Sequence, residues 1–524
     1  MQSKKHHPFL HLKSDLPAGL VTYLVALPLC LGIALASTGR SDLLLSGVIA
    51  GVVGGIVVGL LSGSSLGVSG PAAGLVVIVL NAMTTLGSFE TLLLAVFFAG
   101  IIQLAAGFLN AGIIGYYFPS SVIKGMLAAI GITLIMKEIP HAFGYDADFM
   151  GDEAFEQKDG KNTITEIWYA IRYNSPGAIV ITSVSLFLLW LFDRPFMKKV
   201  GLFKFLPGAL FVVVTGVCIN LAFAAFAPHL ALSGDHLVRL PVASSVGEFF
   251  SFFRFPDFSA VTNPQVYVVA VTLAIVASLE TLLSVEAIDK LDPFKRNTPT
   301  NRELKAQGVG NMVSGLIGGL PITQVIVRSS ANTAAGGRTK MGTIFHGVIL
   351  LVSVACIPFL LNYIPLAALA GILLMVGYKL ANASLFRSMY RLGWEQFLPF
   401  IVTIAAILVT DLLKGIAVGM VLAVFFILRK NYKHSYYQKR EESPEGEIIT
   451  LKLSEEVTFL NKGSIQDKLD RLPAGSKVII DGSRSLNIDH DVLEIIQDFR
   501  DHSAPHRNIR VETVGIREVD VMGH

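Results

Sequence analysis

One carboxylate, Glu280, stands inside the apolar run VVAVTLAIVASLETLLSVEAI. Downstream lies a hydrophobic segment broken by glycine and proline, GLIGGLPITQVIVRSSANTAAGG. An ionisable group at membrane depth is costly to hold, so it marks a cavity where it acts. A broken segment frees backbone N–H groups at the start of a half-helix, and these can hold an anion. Ser284 follows Glu280 by four residues and shares its helical face, with Ser278 and Thr281 in the same turn. Glu280 and Ser284 together can hold a proton or a small cation. The two features read as the substrate site of an anion transporter.

A second broken segment, Gly67-Val-Ser-Gly-Pro-Ala-Ala-Gly74, occupies the matching place in the first half of the chain. Pro71 and Pro321 both suit the first turn of a half-helix. The small residues Ala72, Ala73 and Gly74 let an ion approach the backbone. Each helix N-terminus carries roughly half a positive charge, so two facing ends offer about one unit. Arg328, placed about two turns into the second half-helix counting from Pro321, either lends positive potential to the anion or pairs with Glu280. The competing structural readings are a proline kink for packing, a hydrogen-bonded glutamate and an interhelix ion pair. The histidines make no site, and only His346 lies at an apolar block. Cys30, Cys218 and Cys356 sit in apolar segments with spacing that fits neither a disulfide framework nor zinc. With no nucleophile–base pair either, an enzyme has nothing to support it.

These residues need elements that cross a membrane. Of 524 residues, 52% are hydrophobic and 15% charged, where a soluble chain carries about 25% charge. Mean hydropathy is +0.61. Apolar blocks of about twenty residues, the length that spans a bilayer core, fall near 17–37, 43–62, 65–86, 90–112, 118–136, 176–194, 204–227, 265–289, 306–319, 321–335, 341–362, 364–380, 396–412 and 414–429. The expected organisation is a polar N-terminal segment 1–14, a polytopic α-helical membrane domain 15–430, a linker 431–446 around EESPEG, and a small α/β domain 447–524. The first apolar block, with no cleavage signal before it, is expected to be a retained helix. Lysine and arginine near the block ends put both termini on the cytoplasmic side. The loop 140–172 lies opposite, with the aromatic segment GEFFSFFRF as an interfacial helix. Broken segments at matching positions of two halves indicate an inverted repeat. A net charge of +3 is too small to indicate nucleic acid; lipid is the expected surroundings.

The segments SLETLLSVEAIDKL and TNRELKAQGVGNMVSGLIGGLPITQVIVRSSANTAAGGRT closely resemble the SulP inorganic-anion transporters. The signature is Asn301, Glu303, Leu304, Gln307, Gly308 and Asn311, with GGRT after the second broken segment and DLPAGLVTYLVALPLCLGIALAS as the first span. The resemblance implies a seven-plus-seven inverted repeat of core and gate, a cytoplasmic STAS domain and a homodimer. It places the anion between Ala72–Gly74 and Val325–Ile326, lined by Leu29 and Ile33, with Glu280 as the coupling acid. VALPL and IGGLP resemble the bacterial bicarbonate-transporting branch. Sodium-coupled members of that branch have Asp, with Thr four residues on, where this chain has Glu280 and Ser284, and a small residue where it has Gln324. Glu at this place resembles proton-coupled and exchanging relatives. A sodium ion at Glu280, Ser284 and Val325, or a proton on Glu280, therefore both remain, and no other cofactor is implied. The C-terminal EIITLKLSEEVTFLN, KVIIDGSRS and NIRVETVGI resemble a STAS domain, with Gly482 where antagonist relatives carry a phosphorylatable serine. The expected function is cation-coupled symport of a small anion, bicarbonate foremost, across a bacterial-type inner membrane by an elevator or rocking motion. Sulfate–proton symport, exchange, a passive channel and a sensor are the alternatives.

Overall fold

The computed structural model describes residues 11–147, 162–194, 208–240, 242, 252–433, 435–443 and 446–518. The chain divides into two compact units, Met1–Met420 and Val421–His524. The segments before 11 and at 148–161, and most of GEFFSFFRF, lie outside the described residues.

The membrane unit contains α1 (Leu12–Thr38), α2 (Leu44–Val53, continued helically to Leu61), β1 (Val68–Pro71), α3 (Val76–Leu86), α4 (Phe89–Phe108), α5 (Ser120–Phe143), α6 (Thr163–Arg172), α7 (Pro176–Phe192) and α8 (Gly208–Phe226). The second half follows with α9 (Pro264–Leu291), α10 (Thr300–Ile317), β2 (Ile322–Val325), α11 (Ile326–Ala334), α12 (Met341–Cys356), α13 (Leu366–Leu380), α14 (Ala383–Arg391), α15 (Trp394–Val409) and the start of α16 (Leu412–Lys433), a helix that the unit boundary after Met420 divides. Every one of the fourteen apolar blocks holds a helix. Among the described residues, seven helices are long and apolar enough to cross a membrane, and nine if each bent pair is one span. Shorter apolar helices after β1 and at α12 and α15 account for three of the remaining blocks, and the less apolar α10 and α11 hold the other two.

Two bundles make up this unit. One packs α1–α4 with α9–α12 around the β1–β2 pair, and the other packs α5–α8 with α13 and α15. In lipid, helices associate through close backbone approach at small residues, and reciprocal glycine pairs do this here. A Cβ on Gly100 (α4) would come 2.6 Å from the Gly308 carbonyl, and one on Gly308 (α10) 2.7 Å from the Gly100 carbonyl. Gly55, in the continuation of α2, and Gly347 on α12 face each other at 2.6 and 2.9 Å in the same sense. The first pair joins blocks four and nine, and the second joins blocks eleven and two. A seven-block shift turns one pair into the other, which is the inverted repeat written in packing. Gly131 and Gly377 pair α5 with α13, twelve with five, and map onto themselves.

The C-terminal unit is α/β. Its sheet runs β3 (Tyr436–Ser443), β4 (Gly446–Leu453), β5 (Lys477–Asp481), β6 (Arg510–Val514); β3 pairs antiparallel with β4, and the other pairs are parallel. Ile449, Leu451, Val478 and Ile480 alternate onto one face and pack with Val492, Ile496 and Phe499. The expected linker 431–446 is corrected: Tyr436–Ser443 is a strand. Its polar, charged composition suits a sheet edge, where unpaired groups must be shielded from other chains.

Candidate functional site

The broken segments are not simple helix starts. Val68–Pro71 and Ile322–Val325 are strands that pair antiparallel, Val68 opposite Val325 and Pro71 opposite Ile322. Ala72 and Val325 are extended, and helical turns begin at Ala73 and Ile326. Pro71 therefore closes β1 and Pro321 precedes β2, so neither opens a helix as expected. Arg328 moves accordingly into the first turn of α11. Pairing across the halves satisfies the backbone groups that a broken helix exposes, as membrane burial requires. Four paired residues at about 3.3 Å per step give the ribbon a length of about 10 Å, and a half-helix starts beyond each end with its positive end towards it.

A cleft with about 500 Å³ of empty space, its mouth included, opens beside this ribbon. It is lined by Leu29 and Ile33 of α1, Pro71 and Ala73, Glu280 and Ser284 of α9, and Val325 to Arg328. Ile130 of α5 and Leu412 of α16 close it from outside the first bundle. Eight of the residues expected from sequence thus share one cavity. Ala72, Gly74 and Gln324 do not line it. Strand alternation explains two of them: Val325 faces the cleft, so Gln324 faces away, and Ala72 lies between the lining residues Pro71 and Ala73. Gly74 has another task. A Cβ there would come 3.0 Å from each Glu280 carboxylate oxygen, so its absence lets Glu280 rest against the first half-helix. Ile130, Val327 and Leu412 were not foreseen, since an apolar residue in an apolar block gives no signal.

Arg328 is 1% exposed. Its Nη2 donates to the Pro71 carbonyl at 3.3 Å, while Nη1 has no hydrogen-bond partner. Among the described residues it forms no ion pair, so the pairing with Glu280 is not made. Only glycine at position 70 leaves room for Nη1 across β1. The guanidinium clamps β1 to α11 and brings its charge to the cleft. For a cation, the side-chain oxygens present are those of Glu280 and Ser284. The Val325 carbonyl already accepts the Ser329 hydroxyl at 2.6 Å.

The signature residues turn out to be fastenings. Glu303, Gln307 and Asn311 lie on one face of α10. Gln307 donates to the Ser69 hydroxyl of β1 at 2.7 Å and to Glu303, whose carboxylate takes the Ser62 hydroxyl. Asn311 accepts the Ile322 N–H at 2.6 Å and donates to its carbonyl at 2.9 Å. Asn301 accepts the Gly112 N–H at 2.8 Å. Each buried backbone group left unpaired here would cost about 1–3 kcal/mol.

A second polar cluster lies away from the cleft. Asp146, just past α5, holds His141 Nδ1 with one carboxylate oxygen and His236 Nδ1 with the other, both at 2.5 Å. Burial pushes the Asp146 carboxyl up, but the two imidazoles outweigh it and hold it below the usual range. The Asp146 hydrogen bond raises His236. Chain folding brings His236 to Asp146, ninety residues away, so local spacing gives no sign of this hydrogen-bonded cluster.

A ribbon of two half-helix starts in a fourteen-block inverted repeat, with a carboxylate beside it, defines a membrane transporter of small anions. Residues 12–403 match the model of the sulfate permease family, and the chain belongs to that family of inorganic-anion transporters. It is 27% identical over 433 residues, 82% of this chain and 76% of the relative, to the putative sulfate transporter YvdB of Bacillus subtilis. It is 26% identical over 428 residues, 81% of this chain and 71% of the relative, to the bicarbonate transporter BicA of Picosynechococcus. Among solved structures, the transmembrane domain of a cyanobacterium BicA superimposes with a TM-score of 0.53 at 23% identity, covering 79% of this chain and 98% of that one. Murine Slc26a9 in the inward-facing state gives 0.65 at 15% identity, covering 96% and 85%. These structures show the same fold.

Proposed function

We propose that this integral membrane protein carries a small monovalent anion, bicarbonate foremost, by symport with a cation. One observation carries the reading: both half-helix starts and the Glu280–Ser284 pair line the same cleft. The anion sits against the N–H groups at Ala73 and Val325–Ile326, with Arg328 behind. Leu29, Ile33, Ile130 and Leu412 give the rest of the wall an apolar character that suits one charge better than two. The cleft lies between helices of different bundles, so movement of one bundle against the other, by elevator or rocking, would carry the site across. The bicarbonate transporter named among the relatives supports the choice of anion.

Sodium at Glu280 and Ser284, or a proton on Glu280, supplies the drive. A tenfold inward gradient of either is worth about 1.4 kcal/mol per ion. Sulfate–proton symport is the second reading, favoured by the guanidinium of Arg328 at the cleft. By the placement of basic residues, both termini face the cytoplasm of a bacterial-type inner membrane. The α/β unit, which resembles a STAS domain in sequence, serves dimerisation or regulation.

Uptake of labelled bicarbonate and of labelled sulfate into proteoliposomes, with imposed sodium or proton gradients, tests this. Bicarbonate uptake accelerated by an inward cation gradient supports the first reading. Sulfate uptake driven by protons alone replaces it with the second, and downhill flux insensitive to either gradient removes both.

A further inference from the structure

Glu280 and Thr281 are consecutive on α9, and each meets a different half of the repeat. Glu280 rests its carboxylate against Gly74 of the first half-helix start. Thr281, fully buried, accepts the Gln324 N–H on its hydroxyl at 3.3 Å. Gln324 immediately precedes Val325, the extended residue from which α11 begins. It pairs with Ser69 in the ribbon, and Thr281 supplies the acceptor on its outer side. One helical turn of α9 therefore touches both ends of the anion-holding ribbon, through a carboxylate on one and a hydroxyl on the other.

We propose that Thr281 is a positioning residue that links occupancy of Glu280 to the second half-helix, so that cation and anion bind cooperatively. This rests on the coupled-symport reading above. A cation or proton arriving at Glu280 changes how its carboxylate sits against Gly74. Residue 281 follows because adjacent residues of an α-helix move as one rigid turn. The Thr281 hydroxyl then carries that displacement to the Gln324 N–H and to the backbone donors at Val325 and Ile326. No bond is made or broken in the protein, and no proton passes through Thr281. Coupling between two sites is reciprocal: the factor by which the cation tightens the anion equals the factor by which the anion tightens the cation.

The test uses the full chain, purified, with calorimetric titration of bicarbonate at zero and saturating sodium, and at two pH values without sodium. The coupling factor is the ratio of the two bicarbonate dissociation constants. In the wild type a factor of about ten would correspond to about 1.4 kcal/mol. Thr281→Val is expected to bring the factor close to one while bicarbonate binding without the cation, and sodium binding without bicarbonate, stay within about twofold. Thr281→Ser, which keeps the hydroxyl, is expected to restore it. It also keeps the inference testable if the valine variant does not fold, because a serine variant that binds both ions uncoupled would overturn it. A valine variant with the wild-type factor overturns this inference alone. A valine variant that loses sodium affinity in the absence of bicarbonate makes Thr281 a cation ligand and overturns it too. A wild type that binds bicarbonate with no cation effect overturns both this inference and the coupled reading.

Discussion

At the scale of residues, the site depends on how few charges it buries. Among the described residues Arg328 is the one guanidinium at the cleft, and its Nη2 donates to a carbonyl. A hydrogen bond to a charged group contributes about 1.5–3 kcal/mol. Arg328→Gln is therefore expected to weaken anion binding by roughly ten- to a hundredfold, read by titration of the purified protein. Arg328→Lys should fall between, because it keeps the charge and loses the fork. The Asp146 cluster makes a separate prediction. His236 is raised, so its contribution is full below the ordinary imidazole pKa and is lost as pH rises through its folded value. Asp146 is lowered, so its contribution is full above the ordinary carboxylate pKa and is lost as pH falls through its folded value. The cluster is strongest between about pH 4 and 6.5. Melting temperatures of the wild type and Asp146→Asn should differ most near pH 6, and the gap should narrow as pH rises above the ordinary imidazole range; a gap that widens with pH contradicts the assignment.

Among the elements, the β1–β2 ribbon matters most, and it was the least legible. Hydropathy marks a span wherever about twenty apolar residues run together, so the helices could be placed from sequence. A four-residue strand inside GVSGPAAG has no period to read, and its partner lies some 250 residues away. Proline and glycine mark the interruption but not its form, so the sequence does not show that Arg328 falls in the first turn of its helix or that Gln324 lies in a strand. The charged edge strand β3 was missed for a similar reason: YYQKREES looks like a solvated connector until a partner strand is known. The ribbon predicts that bulk at its ends closes the site. Ala73→Phe and Val325→Trp should each abolish uptake with little change in melting temperature, since both face the cleft. Retained anion affinity in both variants would move the site elsewhere.

For the whole molecule, the chain divides into a membrane unit and an α/β unit. The ribbon, Glu280 and every cleft residue lie within Met1–Met420. A chain ending after Lys433 is therefore expected to keep gradient-driven uptake in proteoliposomes, and full loss in a well-folded truncation would assign the α/β unit a part in the transport path. The central claim is that a cation at Glu280 drives the anion held beside it. The most direct measurement is the initial rate of labelled bicarbonate uptake by folded Glu280→Gln, with and without an inward sodium or proton gradient. The two rates are expected to be equal in this variant and unequal in the wild type. A gradient that still accelerates uptake by Glu280→Gln would contradict the account.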